Sequence, residues 1–246
     1  MRASHLEKAR RSVIPTMDGD IPYWTVSFQA RGTKGGKAPF RLLHFGGAPA
    51  DNDEYQRRKS APPEEIQRAL RSAISLSHFK PGVRLIYIPN PPMTRTRSNN
   101  ELFIESIAPI TDAFLCATEV PRGYTLVSSW SAGSAFIAPL LKRAITAACG
   151  LPEGLHMTAP YIVPTIKEDG QFGMILDQIN VSLSVGISDP GKLQTLALSQ
   201  GLVSAKIAHS LYWLPSGHDW DASAPVEAWA LHLARYARGE RKGGRL

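Results

Sequence analysis

Hydrophobic positions along the chain follow two periods, one typical of strands and one typical of helices. Short apolar runs at 41–45, 83–88 and 124–128 each begin or end at glycine or proline, which is typical of buried strands. The stretch that Pro63 opens has its apolar residues at helical spacing instead. Four residues form the predicted buried face of this helix: Ile66, Leu70, Ala73 and Ile74.

The same two periods continue to the end of the chain. Further strands are predicted at 23–29, 154–159, 181–187 and 208–213. Further helices are predicted from Asn99 to Phe114 and over 132–147, 193–202 and 226–237. Pro109 and Pro139 are expected to kink the first two of these helices. Strands that alternate with helices predict an α/β fold: a single doubly wound, mostly parallel sheet of about eight strands with helices on both faces.

A short motif after one predicted strand carries the strongest chemical signal. Residues 129–133 read Ser-Trp-Ser-Ala-Gly and lie between the apolar run 124–128 and a predicted helix. Ser131 has a small residue two positions before it and another two positions after it. A sharp strand-to-helix turn that exposes a serine hydroxyl needs small residues there. The pattern is that of a nucleophile elbow, although Ser129 stands where glycine is common; a simple turn serine is the alternative.

Length and composition are those of an ordinary globular protein. The 246 residues are 43% hydrophobic and 20% charged, so we expect one domain over 1–246 with its core at about 12–238. No run is long and apolar enough for a membrane span, and the N-terminus lacks the apolar core of a signal peptide. Cys116 and Cys149 have no metal-ligand spacing and predict no disulfide framework. A cytoplasmic location is the resulting expectation.

The net charge of +7 raises the question of an anionic partner. Basic residues collect near both ends of the chain and at Arg57-Arg58-Lys59. No recognised nucleic-acid-binding motif accompanies them, so nucleic-acid binding is not expected. The basic clusters are consistent with a solvated surface or with attraction of an anionic substrate.

Three polar residues at strand ends resemble the α/β-hydrolase fold in their chain order. Counting the strands that end near 30, 45, 88 and 128 as the second to fifth places Ser131 after the fifth. Asp189 then follows the seventh strand and His218 the last one. Serine, then aspartate, then histidine is the order in that family. The segment 217–220, Gly-His-Asp-Trp, also resembles, more weakly, the small carboxylesterases of the esterase D type.

This resemblance implies a serine hydrolase that cleaves an ester, thioester or related acyl bond of a small-molecule substrate through an acyl-enzyme. Ser131 would be the nucleophile and His218 the general base. Asp189 would hold the imidazole in the correct tautomer and stabilise the imidazolium. Neither a metal nor a cofactor is implied. A relative that lacks hydrolytic activity and acts as an acyltransferase or binding module is the alternative, because fold does not imply function.

The resemblance also implies an oxyanion hole and an open site. One donor would be the backbone N–H of Ala132, and the other would come from the loop that contains Gly46 and Gly47. Phe45 stands where the family usually has glycine, so the second donor is left open. Only about twenty residues separate the sixth and seventh strands, which leaves room for little or no lid.

Other residues have two interpretations each. Asp177 is a rival for the acid, and Asp189 before a proline is also a common turn former. Trp130 is a candidate for substrate binding, although a large aromatic residue is often simply part of the core. Arg95 and Arg97 are candidates for binding an anionic group of the substrate, a hypothesis that rests on their charge alone.

Overall fold

A central β-sheet organises the molecule. The computed structural model describes residues 5–6, 9–15, 20–29, 40–49, 51–60, 64–79, 81–90, 97–116, 124–147, 149–161, 163–164, 166–215, 217–218 and 224–240. The strands in these ranges are β1 (His5–Leu6), β2 (Arg10–Ile14), β3 (Ile21–Gln29), β4 (Phe40–Phe45), β5 (Val83–Ile88), β6 (Tyr124–Trp130), β7 (Gly154–Thr158), β8 (Asn180–Gly186) and β9 (His209–Leu214).

The strand order across the sheet is β1-β3-β5-β4-β6-β7-β8-β9, and β2 also pairs with β3. β1 and β2 are successive segments along the same edge of β3, so the sheet is eight strand positions wide. β3 runs antiparallel to its neighbours, and β4 to β9 run parallel to one another. The predicted doubly wound, mostly parallel sheet of about eight strands is therefore confirmed.

Helices cover both faces of the sheet, as predicted. Their bounds are α1 (Asn52–Ser60), α2 (Glu64–Leu76), α3 (Arg97–Ser106), α4 (Ala108–Leu115), α5 (Ile137–Thr146), α6 (Gly170–Asp177), α7 (Lys192–Ser204) and α8 (Ala224–Ala237). α2 and α8 pack on one face, whereas α3 to α7 pack on the other. α1 buries no side chain. Among the described helices, none has the length and apolar character needed to cross a bilayer.

Predicted and observed elements differ where a proline or a weak apolar pattern is involved. At Pro109 the expected kink is a complete break, because α3 ends at Ser106 and α4 begins at Ala108. The expected bend at Pro139 is wrong. A 3₁₀ helix (Ser131–Phe136) precedes α5, so Pro139 lies in the first turn of α5, where a backbone N–H needs no partner within the helix.

The segment between β7 and β8 contributes a core helix. Asp169 begins α6 as its N-cap, with its side chain accepting a hydrogen bond from the Phe172 N–H. Phe172, Ile175 and Leu176 of this helix are buried in the same apolar cluster as α5. The eight residues of α6 are thus part of the scaffold. Little of the connection between β7 and β8 is left to cover the carboxyl ends of the parallel strands.

The two cysteines lie together, contrary to the expectation from their spacing. Cys116 ends α4 and Cys149 follows α5, and the two are paired as a disulfide with Cα atoms 4.6 Å apart. The sequence separation of 33 gives no hint of this pairing. α4 and α5 contact each other, so the residues that follow the two helices lie close together, and only the tertiary structure reveals that.

A row of polar side chains crosses the face of the sheet that α8 covers. His44, Ser128, His156 and Ser182 occupy matching positions on four adjacent parallel strands. All four are buried. Their ring nitrogens and hydroxyls pair along the row: His44 Nδ1 lies 3.1 Å from Ser128 Oγ, and His156 Nδ1 lies 2.9 Å from Ser182 Oγ.

His232 on α8 extends this network. Its Nε2 lies 3.1 Å from Ser182 Oγ, and its Nδ1 lies 2.8 Å from the hydroxyl of Tyr124. Ser182 Oγ–H donates to Leu155 O, so both histidine nitrogens that face Ser182 act as donors to its lone pairs. Gly154 makes room for the arrangement, because a Cβ there would lie 2.6 Å from the His232 ring.

The network accommodates neutral histidines. Burial lowers the pKa of His44 and of His156 to about 3, and it lowers the pKa of His232 well below its usual value. For His156, the second nitrogen Nε2 accepts a hydrogen bond from Thr158 or Ser184 when Nδ1 donates to Ser182. Protonation of His156 at Nε2 would place its new N–H against a hydroxyl that already donates to that nitrogen.

Acid should therefore unfold the protein. The native state holds the three histidines neutral, whereas the unfolded chain protonates them near pH 6.5. Their contribution to the free energy of unfolding is therefore fully present above pH 6.5 and is lost as the pH falls toward 3. The slope should reach about 1.4 kcal/mol per pH unit for each histidine. Urea unfolding at a series of pH values measures it. His156→Asn should flatten the slope, whereas His78→Asn, at an exposed left-handed position, should leave it unchanged.

Candidate functional site

Ser131 lies at a strained turn directly after β6. Trp130, the last residue of the strand, is extended, with φ −125° and ψ 133°. Ser131 itself has φ +50°, in the left-handed region that side chains other than glycine rarely adopt. The 3₁₀ helix then begins at Ser131. Strain of this kind at a strand-to-helix turn is the geometry of a nucleophile elbow.

The neighbours of Ser131 explain why this turn needs small residues. A Cβ at Gly133 would lie 2.5 Å from Gly46 O and 2.6 Å from Phe45 O, so the start of the 3₁₀ helix packs directly on the backbone after β4. Ser129 is fully buried, and its hydroxyl lies 2.8 Å from the hydroxyl of Ser134. Serine replaces the more common glycine here because the turn supplies its hydroxyl with a buried partner.

Ser131, His218 and Asp189 come from three distant parts of the chain and meet in one hydrogen-bonded series. Ser131 Oγ lies 2.9 Å from His218 Nε2. The other ring nitrogen, Nδ1, lies 2.9 Å from Asp189 Oδ2. Both distances are those of ordinary hydrogen bonds. When Nδ1 donates to the carboxylate, Nε2 of the neutral ring is an acceptor that can take the serine proton.

The Asp189 carboxylate divides its two oxygens between the turn and the histidine. Oδ1 accepts a hydrogen bond from the Gly191 N–H at 2.6 Å, which closes the turn after β8. Oδ2 is left to face His218. The Asp189 side chain is 1% exposed, whereas the His218 side chain is 41% exposed. Asp189 is therefore a turn former and a histidine partner at once, and the two interpretations of the sequence are compatible.

The rival acid lies elsewhere. Asp177 is the last residue of α6, and the chain enters β8 at Asn180 only three residues later. Ser131 follows the carboxyl end of β6, and β6 to β8 run parallel. Asp177 therefore lies at the opposite edge of the sheet from Ser131 and cannot reach His218 without a rearrangement of the fold.

The two glycines after β4 differ in how their backbone is used. The Gly46 N–H donates to Ile88 O at 3.0 Å, which continues the ladder between β4 and β5. Gly47 packs against Trp130, because a Cβ there would lie 2.5 Å from the indole ring. On the other side of Ser131, Ala132 is the second residue of the 3₁₀ helix, and the first N–H groups of a helix have no partner within it.

Arg58 and Tyr161 are neighbours of the site that the sequence did not point to. Arg58 on α1 donates from Nη1 to Gly47 O at 2.7 Å and pairs with Glu54 at 2.5 Å. The sequence shows Arg58 only as part of a basic cluster, because α1 has no apolar face that would predict a helix there. The Tyr161 N–H donates to Ser131 O at 3.3 Å, after a left-handed turn at Ala159 with φ +44°.

Of the three residues predicted to bind substrate, only the side chain of Trp130 is described by the structure. Trp130 is half-buried and its ring stacks on that of His218, with centroids 6.1 Å apart. Arg95 lies outside the described residues. Arg97 begins α3, and its side chain is outside the description. Within the described part of the chain, no three histidine, cysteine, aspartate or glutamate side chains are grouped as metal ligands.

The close packing of Gly133 should make the elbow intolerant of a single methyl group. Gly133→Ala forces a Cβ against two backbone oxygens, so it should destabilise the protein by about 1–3 kcal/mol and displace the chain after β4. Ser129→Ala, on the other side of Ser131, removes only one hydroxyl pair and should cost about 1 kcal/mol. Urea unfolding of both variants checks this order; equal losses would contradict it.

The similarity of this chain to known proteins is one of structure. No protein-family model and no curated protein sequence matches it. Solved structures match over nearly the whole chain. A ferulic acid esterase aligns at TM-score 0.61 with 10% identity, covering 96% of this chain and 99% of that one.

Two further solved structures give the same result. A fungal esterase from Rhizomucor miehei matches at TM-score 0.61 with 12% identity, covering 97% of this chain and 84% of that one. A thermostable carboxylesterase cloned from a metagenomic library matches at TM-score 0.60 with 13% identity. The alignment covers 98% of this chain and 92% of that one. With the strand order and the elbow at Ser131, these similarities show that the chain has the α/β-hydrolase fold.

Proposed function

We propose that the protein is a serine hydrolase that cleaves an ester, thioester or related acyl bond through an acyl-enzyme. The observation that carries this proposal is the hydrogen-bonded series from Ser131 through His218 to Asp189, with both links at 2.9 Å. The esterases among the structural neighbours support the same reaction class. Since those neighbours share only the fold, the proposal depends on the geometry of these three side chains.

In the first half of the reaction, Ser131 Oγ attacks the carbonyl carbon of the substrate and its proton moves to His218 Nε2. The imidazolium that forms keeps its Nδ1–H on Asp189 Oδ2, and the negative carboxylate stabilises it. Asp189 needs no reorganisation for this step, because the Gly191 N–H already holds its other oxygen.

The carbonyl oxygen becomes an oxyanion and needs two preorganised donors. The Ala132 N–H at the start of the 3₁₀ helix is one. For the second we favour Gly47 over Gly46, because the Gly46 N–H already donates to Ile88 O within the sheet. Arg58 holds the carbonyl of Gly47 and thereby fixes the loop that carries this donor.

In the second half, the tetrahedral intermediate collapses and the bond to the alcohol or thiol breaks. The leaving group takes the proton from His218 Nε2, and Ser131 keeps the acyl group as an ester. Water then attacks this ester, giving its proton to His218, and the free acid departs as the proton returns to Ser131 Oγ. The exposed His218 side chain is consistent with a site that water reaches readily.

A fluorophosphonate probe tests the nucleophile. We expect one equivalent of label on the native protein, lost in Ser131→Ala, together with hydrolysis of p-nitrophenyl acetate. Ser134→Ala, which changes another buried serine of the same 3₁₀ helix, should still be labelled. Labelling that survives Ser131→Ala would refute the assignment of the nucleophile. Labelling without hydrolysis, but with transfer to an added alcohol or amine, would identify an acyltransferase.

The two candidate acids can be separated directly. Asp189→Asn keeps the shape of the side chain but not its charge, so kcat should fall by about 10³–10⁴-fold. Asp177→Asn, at the opposite edge of the sheet, should leave kcat unchanged. Steady-state hydrolysis of p-nitrophenyl acetate measures both. A large loss in Asp177→Asn, or none in Asp189→Asn, would contradict the proposed acid.

A further inference from the structure

The indole of Trp130 contacts both sides of the site around Ser131. On one side its ring stacks on the His218 imidazole, with centroids 6.1 Å apart and planes 27° from parallel. On another, Gly47 packs so closely on it that a Cβ would lie 2.5 Å from Cε3 and 2.8 Å from Cζ3. One side chain therefore touches the base and the loop at residues 45–49, here named the oxyanion loop.

Arg58, a residue of α1, contacts both Trp130 and the oxyanion loop. Its guanidinium lies 5.9 Å from the centroid of the Trp130 ring while it donates to Gly47 O. Glu54 neutralises its charge through the ion pair one helical turn earlier. The indole Nε1–H of Trp24 donates to Arg58 O, so the end of α1 is also tied to β3. The oxyanion loop is thus held between a fixed guanidinium and the indole.

Among the residues that the structure describes, His218 has few other contacts. It lies in the chain after β9, its side chain is 41% exposed, and Gly217 before it has no heavy atom near its Cβ position. Two hydrogen bonds fix the ring edges, one from Ser131 and one to Asp189. Neither bond restrains the ring against rotation about the line between these partners. The flat contact with Trp130 supplies that restraint.

We propose that Trp130 is a positioning residue that aligns His218 with Ser131, holds the oxyanion loop in place, and stabilises the imidazolium through the face of its indole ring. This inference rests on the proposed hydrolase function. An aromatic face near a cation is stabilising, and tryptophan is the most effective residue for it. The benefit arises in the transition state, when His218 carries a positive charge, so it belongs to kcat and not to substrate binding.

The test is a comparison of variants in the hydrolysis of p-nitrophenyl acetate. Trp130→Leu should lower kcat by about 10–100-fold with KM changed less than about threefold, and Trp130→Phe should recover most of the loss. Trp213→Leu is the matched control. Trp213 is also partly exposed, but the strand register places it on the opposite face of the sheet from Trp130, so its removal should leave kcat unchanged.

A second measurement keeps the proposal testable if Trp130→Leu folds poorly. Gly47→Ala pushes a methyl group into the indole and should lower kcat in the native background. In a Trp130→Phe background, where the smaller ring leaves space, the same change should cost less, so the two effects should not be additive. Additive effects would show that the contact between Gly47 and the indole has no part in catalysis.

Other outcomes of these measurements distinguish a positioning role of Trp130 from a role in substrate binding. If Trp130→Leu raises KM alone, Trp130 is a wall of the substrate site and the positioning role is refuted. If Trp130→Leu and Trp213→Leu behave alike in an active enzyme, the inference fails and the hydrolase function remains. If the native protein neither hydrolyses the ester nor reacts with fluorophosphonate, the proposed function fails and this inference fails with it.

Discussion

The site depends on one backbone contact, the packing of Gly133 on the carbonyls of Phe45 and Gly46. This contact joins the turn after β6 to the loop after β4, and these strands are neighbours in the sheet. A larger residue would separate the two segments. The strained φ of Ser131 is tolerated because the chain is held on both sides, by β6 before it and by this contact after it.

The other parts of the site follow from the parallel sheet. β6, β8 and β9 all end at the same edge, so residues that are 87 and 29 positions apart in sequence come within hydrogen-bond distance. Asp189 is held by its own turn, and His218 by its partners and the indole beside it. The precision of the arrangement therefore comes from rigid strand ends for Ser131 and Asp189, whereas the ring of His218 is aligned by its own contacts.

Residues with strong periodicity were predictable, and those without it were not. The central strands were predicted within two residues and the start of α2 within one, because buried apolar runs and a one-sided helix face leave a clear pattern. α1 was missed since it buries no side chain, and with it Arg58. The triad candidates could be read from their order at strand ends. The contact of Trp130 with His218 could not, because side-chain packing across the sheet edge leaves no trace in spacing.

The buried polar row of His44, Ser128, His156 and Ser182 has a consequence for how the sheet assembles. Parallel strands made of apolar residues can pair in several registers at little cost, because one aliphatic side chain replaces another. A shift of one residue would turn these polar groups to the other face, into a cluster of aliphatic and aromatic side chains. The row therefore favours one register of the four strands. That register fixes the position of the end of β6, and with it the position of Ser131.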